Sequence, residues 1–143
     1  INFNRLFSCQ GRQVINKLKC VLRYFKKVLA SPQTDVLTFQ RRFIDQKAFP
    51  DWKHLDIKFS TIKWHISCNG TIEEGHRMLQ VDFANRYLGG GVLGNGCVQE
   101  EIRFVLNPEC IVGMLFCESM KKEEAIYIYG SKQVVTRTFC IFS

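Results

Sequence analysis

The stretch from Gly89 to Gly96 constrains the fold more than any other part of the chain. Five of its eight residues are glycine, the apolar run Met78-Leu79-Gln80-Val81-Asp82-Phe83 precedes it, and Gln99-Glu100-Glu101 follows. Glycine loses more backbone freedom on ordering than any other residue, so such a segment is expected as a loop between a strand and a helix. Its N–H groups can converge on an anion, because no Cβ blocks approach and positive φ costs little. A diphosphate suits that geometry. The plain alternative is a surface loop that binds nothing.

The letters Gly89-x-Gly91-x-x-Gly94 also satisfy the dinucleotide fingerprint. That fingerprint places its glycines directly at a strand end and opens a helix after them. Here five residues separate Phe83 from Gly89, and the loop runs on through Gly96. A dinucleotide-binding oxidoreductase is therefore the weakest reading.

Glu100 and Glu101 are flanked by apolar Val98 and Ile102, which argues for partial burial rather than a solvated face. On a helix, adjacent side chains point about 100° apart, so the two carboxyls are expected to take different roles. Glycosidases use carboxyls on either side of a scissile bond. One carboxyl is expected to hold sugar hydroxyls while the other exchanges protons. Burial and the neighbouring charge would raise the second group's pKa and keep it protonated near neutrality.

Around this centre the patterning is α/β. Residues 12–30 read as an amphipathic helix, with Val14, Leu18, Val21, Leu22, Phe25, Val28 and Leu29 at 3–4 spacing as a core-facing stripe. Lying on a membrane surface is the less common use of such a helix. Ser31-Pro32 ends it, and residues 33–60 read as irregular. Thr61 to Ser67 alternates as a strand, Met78 to Phe83 is expected as a central one, and Ala125 to Tyr129 as a third. The tail from Val134 offers a fourth. Val98 to Phe104 reads as a short helix, and Asn107-Pro108-Glu109 as the start of another that buries Cys110, Ile111, Met114, Leu115 and Cys117.

With 143 residues the chain can bury one domain core. Residues 1–70 carry 13 Lys and Arg against 4 acids, and residues 71–143 carry 7 against 9. A basic part joined to an acid-bearing glycine-rich part suits a polyanionic substrate that must meet a carboxylate. A solvated basic helix face is the equal alternative. Seven cysteines, odd in number and without a C-x-x-C pair, fit a reducing compartment better than a disulfide framework or a zinc site. The start at Ile1 is expected of a fragment of something longer.

Leu79-Gln80-Val81-Asp82-Phe83-Ala84-Asn85, the Gly89–Gly91 triplet, and Gln99-Glu100-Glu101, separated from the triplet by seven residues, resemble the signature of the poly(ADP-ribose) glycohydrolases. Arg103-Phe104, Asn107-Pro108-Glu109, Gly70-Thr71-Ile72-Glu73-Glu74 and the Phe3–Phe7 region are similar as well, so the resemblance spans residues 3 to 133. It implies a macrodomain-like three-layer α/β/α fold with a mixed sheet and a helical N-terminal extension. The division expected is residues 1–60 for the extension and 61–143 for a partial catalytic domain.

The implied reaction is hydrolysis of ribose–ribose O-glycosidic bonds in poly(ADP-ribose), releasing ADP-ribose with no metal and no cofactor. Poly(ADP-ribosyl)ated proteins are the implied partners, without a requirement for nucleic acid or membrane, in the nucleus or cytoplasm. By the same resemblance Glu101 is the acid and base, and Glu100 holds ribose hydroxyls. Asn85 meets the terminal ribose, Asp82 and Gln99 shape the pocket, Gly89, Gly90 and Gly91 approach the diphosphate, and Ile72 and Glu73 meet the adenine. His54, His65 and His76 match no role.

After Gln133 the resemblance stops, and the family's tyrosine clasp, second phosphate loop and late aromatic have no counterpart here. The chain is therefore expected to be truncated on its C-terminal side. A non-catalytic ADP-ribose-binding or regulatory fragment stands as the alternative to an enzyme.

Overall fold

The computed structural model describes residues 1–31, 34–58 and 63–134. A short helix, α1 (Asn4–Ser8), precedes the long helix α2 (Arg12–Ala30). Helix α2 follows the 3–4 spacing and ends where the Ser31 N–H closes onto the Lys27 carbonyl at 3.2 Å. Its buried arc is narrower than the apolar stripe, comprising Val14, Lys17, Cys20 and Val21. Leu22, Phe25 and Leu29 face outward instead. The core-facing reading holds for one side of that stripe and is corrected for the other.

Residues 38–43 form strand β1 (Thr38–Phe43), inside the stretch that reads as irregular. It pairs antiparallel with β2 (Glu124–Tyr129), from Thr38 opposite Tyr129 to Phe43 opposite Glu124. In β2 the alternation is regular: Ile126 and Ile128 pack on the core, while Tyr127 and Tyr129 stack outward with ring centroids 6.1 Å apart. Strand β1 lacks that alternation because its partners are mixed. Phe39 packs edge-on against Phe116 at 5.1 Å, and Arg41 forms a 2.7 Å ion pair with Glu124.

Helix α3 (Gln99–Leu106) follows the glycine loop, starting one residue later and ending two residues later than the expected Val98–Phe104 stretch. A 3₁₀ helix (Pro108–Leu115) comes directly after it. Proline stands at its first position as expected, but Asn107 does not cap it with its side chain. That side chain accepts from Arg103 at 3.1 Å and donates to the Ser131 carbonyl at 3.3 Å. Cys110 and Ile111 are buried, Met114 and Cys117 half-buried, and Leu115 faces solvent.

Two expected strands do not appear among the described residues. Residues 78–83 form no ladder, and Met78, Leu79, Val81 and Phe83 are exposed, Phe83 by 83%. An apolar run of this kind marks burial between neighbouring strands, and among the described residues no strand lies alongside it. The side chain of Gln99 takes a strand's place at one register position, accepting from the Phe83 N–H at 2.8 Å and donating to the Val81 carbonyl at 2.7 Å. Residues 63–67 likewise form no strand ladder, with Trp64 and Ile66 exposed. Residues 61–62 and the tail 135–143 lie outside the described residues.

The core is helical in origin. Leu6 of α1, Val14 and Cys20 of α2, and Phe104, Val105 and Leu106 of α3 meet Cys110 and Ile111. Leu88, Val92 and Leu93, from either side of the glycine triplet, complete it. Anchoring both flanks of the loop in this core fixes where the loop lies. The α/β character holds, with a two-stranded sheet among the described residues.

Candidate active site

The first turn of α3 and the glycine loop build one hydrogen-bonded unit. Both glutamates are buried, Glu100 at 3% and Glu101 at 6% exposure. Glu100 accepts from the Asn85 N–H at 2.9 Å through one oxygen and from the Gly89 N–H at 2.7 Å through the other. Glu101 accepts from the Gly91 N–H at 2.8 Å and from the Val98 N–H at 2.9 Å. The last bond is half of a capping box, since Val98 has no side-chain oxygen to return it. A helix N-terminus also favours negative charge in its first turn. The helix and the loop therefore hold the carboxylates together.

The 100° separation expected on a helix has a concrete result: the two carboxyls serve different stretches of the loop. Glu100 secures 85–89, and Glu101 secures 91 and 98. Between them, Gly90 has φ +49°, and a Cβ there would lie 2.5 Å from Glu101 Oε1 and 2.9 Å from Glu100 Oε2. Only glycine fits. The anions that the Gly89 and Gly91 N–H groups meet in the structure are the chain's own carboxylates.

Burial raises the Glu100 pKa, with the Asn85 and Gly89 N–H groups opposing and the charge of Glu101 adding to the rise. Asp82 is pushed up to about 6, first by burial and then by Glu100 and Glu101, with Arg103 opposing. Its Oδ1 is buried and has no hydrogen-bond partner among the described residues. Asp82 and Glu100 thus both lie within reach of the Glu101 carboxyl, and its charge adds to the rise that burial gives each of them.

Ile72 and Glu73 occupy a 3₁₀ turn (Ile72–Glu74), with Glu73 buried and Ile72 exposed. They line an open groove of about 1710 Å³ together with Asp82, Gln99, Arg103 and residues of β2. Glu100 and Glu101 do not line it. Asn85 is exposed and its side chain caps its own turn, accepting from the Tyr87 N–H at 3.0 Å. The structure thus brings Asp82, Gly89, Gly90, Gly91, Gln99, Glu100, Glu101 and the Asn85 backbone together. Ile72 and Glu73 lie along the groove.

Sequence reasoning missed two contributors. Arg103 hydrogen-bonds the side chain of Gln80, whose amide donates to the Gly75 carbonyl at 2.8 Å, tying the 72–80 segment to α3. Lys17, on α2, donates to the carbonyls of Val92, Gly94 and Gly96. The available signal was a lysine three residues after Val14 and four before Val21, on the face that is otherwise apolar. Among the described residues, no group of three or more His, Cys, Asp and Glu side chains is arranged to hold a metal ion, and no helix is long and apolar enough to cross a membrane. His54, His65 and His76 are all exposed.

Comparison with known proteins meets this geometry from another side. Residues 49–139 match the family model of the poly(ADP-ribose) glycohydrolase macro domain fold, and residues 1–41 match that of its helical domain. The chain is 38% identical over 138 residues to poly(ADP-ribose) glycohydrolase 1 of Arabidopsis thaliana, covering 93% of this chain and 25% of that protein. It is 40% identical over 131 residues to poly(ADP-ribose) glycohydrolase 1 of Caenorhabditis elegans, covering 91% and 17%. A probable poly(ADP-ribose) glycohydrolase 2 of Arabidopsis thaliana is 36% identical over 146 residues, covering 91% and 27%. The chain therefore spans about a quarter or less of the length of these relatives. The macro-fold match covers most of the chain and includes the glycine loop with both glutamates, so the chain belongs to the poly(ADP-ribose) glycohydrolase family.

Proposed function

We propose that this chain carries the acid–base centre of an enzyme that hydrolyses ribose–ribose O-glycosidic bonds in poly(ADP-ribose) and releases ADP-ribose. The observation that carries the reading is Glu101: a buried carboxylate held by two backbone N–H groups against a glycine loop, in a chain of this family. A carboxylate offers roughly four acceptor sites, so the two N–H bonds leave room for a proton, which the resulting O–H donates to the glycosidic oxygen. Glu101 protonates the leaving ribose oxygen and then activates water as the oxocarbenium-like sugar collapses.

Glu100, fixed at both oxygens, orients ribose hydroxyls, and Asn85 meets the terminal ribose. Asp82 and Gln99 shape the wall beside them. The Gly89–Gly91 backbone passes the diphosphate, and Ile72 and Glu73 receive the adenine at the groove. Poly(ADP-ribosyl)ated proteins are the natural carriers of the polymer.

Incubating the chain with labelled poly(ADP-ribose) and following ADP-ribose release tests this reading. Release of monomer supports it. Binding of ADP-ribose with no release would place the chain in a non-catalytic binding class, and preferential binding of NAD would contradict both.

A further inference from the structure

Lys17 is 1% exposed, on the buried arc of α2. A buried ammonium needs a partner for each of its three donors. It has them in three loop carbonyls: Val92 at 3.1 Å, Gly94 at 2.8 Å, and Gly96. These are 75 to 79 residues away in sequence, so the contact joins the helical segment to the loop. Burial pulls the Lys17 pKa below its ordinary value, with the charges of Cys97, Glu101 and Cys9 opposing.

The loop itself is closed. The Gly94 and Gly96 N–H groups both bond the Gly91 carbonyl, at 2.9 and 3.2 Å. The two ends approach so closely that a Cβ on Gly96 would lie 2.8 Å from the Gly91 Cα and 2.7 Å from Glu101 Oε1. Carbonyls 92, 94 and 96 thus turn to the ammonium, while the Gly91 N–H turns to Glu101.

We propose that Lys17 is a positioning residue for Glu101: by gathering three carbonyls it folds residues 91–96 into the ring that presents the Gly91 N–H to that carboxylate. The inference rests on the reading of Glu101 as the acid and base. It makes α2 an integral part of the site rather than an appended support. It also implies that removing the side chain leaves a cation-shaped set of carbonyls that a small amine can fill.

The test uses Lys17→Met, which keeps length and apolar bulk but removes charge and donors, and Lys17→Ala with added methylammonium. Two readouts are followed: hydrogen exchange across residues 89–98, and hydrolysis of poly(ADP-ribose) resolved into kcat and KM. The expected K17M result is faster exchange in the loop and a fall in kcat of ~10- to 100-fold with KM little changed, the cost of misplacing a reacting group by about an ångström. Methylammonium is expected to restore loop protection and rate to K17A, while tetramethylammonium, which cannot donate, restores neither.

K17M with wild-type loop exchange and wild-type kcat overturns the proposal. So does equal rescue by both amines, which would mean packing alone. If K17M does not fold, K17A decides: recovery of loop protection with methylammonium supports the proposal, and no recovery overturns it. A wild-type chain that does not hydrolyse polymer would sink the functional reading, while the exchange measurement still decides the role of Lys17.

Discussion

Replacing Gly90 by alanine is the sharpest perturbation of the site that removes none of its functional groups. The backbone there has φ +49°, and a side chain in that left-handed region costs about 1–2 kcal/mol. The added Cβ would lie 2.5 Å from Glu101 Oε1 and 2.9 Å from Glu100 Oε2, so at least one carboxylate must shift. That shift breaks a backbone N–H bond to a charged group, worth about 1.5–3 kcal/mol. Together the two effects give a loss of ~2.5–5 kcal/mol. Denaturant unfolding of G90A against wild type measures it, with Gly94→Ala as the comparison. At Gly94 the added Cβ would meet only the flexible Arg5 side chain, at 3.2 Å, so a much smaller loss is expected. Equal stability of G90A and wild type would refute the packing of both carboxylates against this glycine.

Asp82 titrates near 6 in the folded chain against 3.8 in the open chain, so the folded state binds its proton more tightly. Stability attached to that proton is present at low pH and is lost as pH rises through about 4 to 6. The full gap corresponds to ~3 kcal/mol at 1.36 kcal/mol per unit, and screening at a half-buried group reduces it to about 1 kcal/mol. Asp82→Asn is therefore expected to gain ~1 kcal/mol at pH 7.5 and nothing at pH 3.5, and urea melts at both values check this. A Cβ on Gly113 would lie 2.5 Å from the Phe39 ring and 2.6 Å from Leu88, so Gly113→Ala is expected to cost ~1–3 kcal/mol by overpacking. Thermal melts unchanged by that substitution would show that β1 does not pack where described.

What the sequence made legible was what local periodicity encodes. Helix α2 followed from its 3–4 spacing, α3 from the change of pattern after Gly96, and β2 from the alternation of Ile126 and Ile128 with Tyr127 and Tyr129. Strand β1 was hidden because Gln40, Arg41 and Arg42 break any alternation. What makes it a strand is its pairing with β2 and the Arg41–Glu124 ion pair, 83 residues apart. The opposite error at 78–83 has the same origin, since an apolar run speaks only of the burial it would need.

At the site, the carboxylates and the glycines were visible as letters. That the N–H groups of Gly89 and Gly91 turn to Glu100 and Glu101 is tertiary information. So is the burial of Lys17, which a helical wheel places on the apolar face without saying what meets it.

Glu101→Gln tests the acid–base role of that carboxyl most directly. The amide keeps the shape of the carboxyl but cannot give up or accept a proton, and it can accept from only one of the Gly91 and Val98 N–H groups through its oxygen. The expected outcome is a folded chain that still binds ADP-ribose while its release of ADP-ribose from polymer falls by ~10²- to 10⁴-fold, the range for loss of a general acid–base. Turnover by E101Q at the wild-type rate would contradict it.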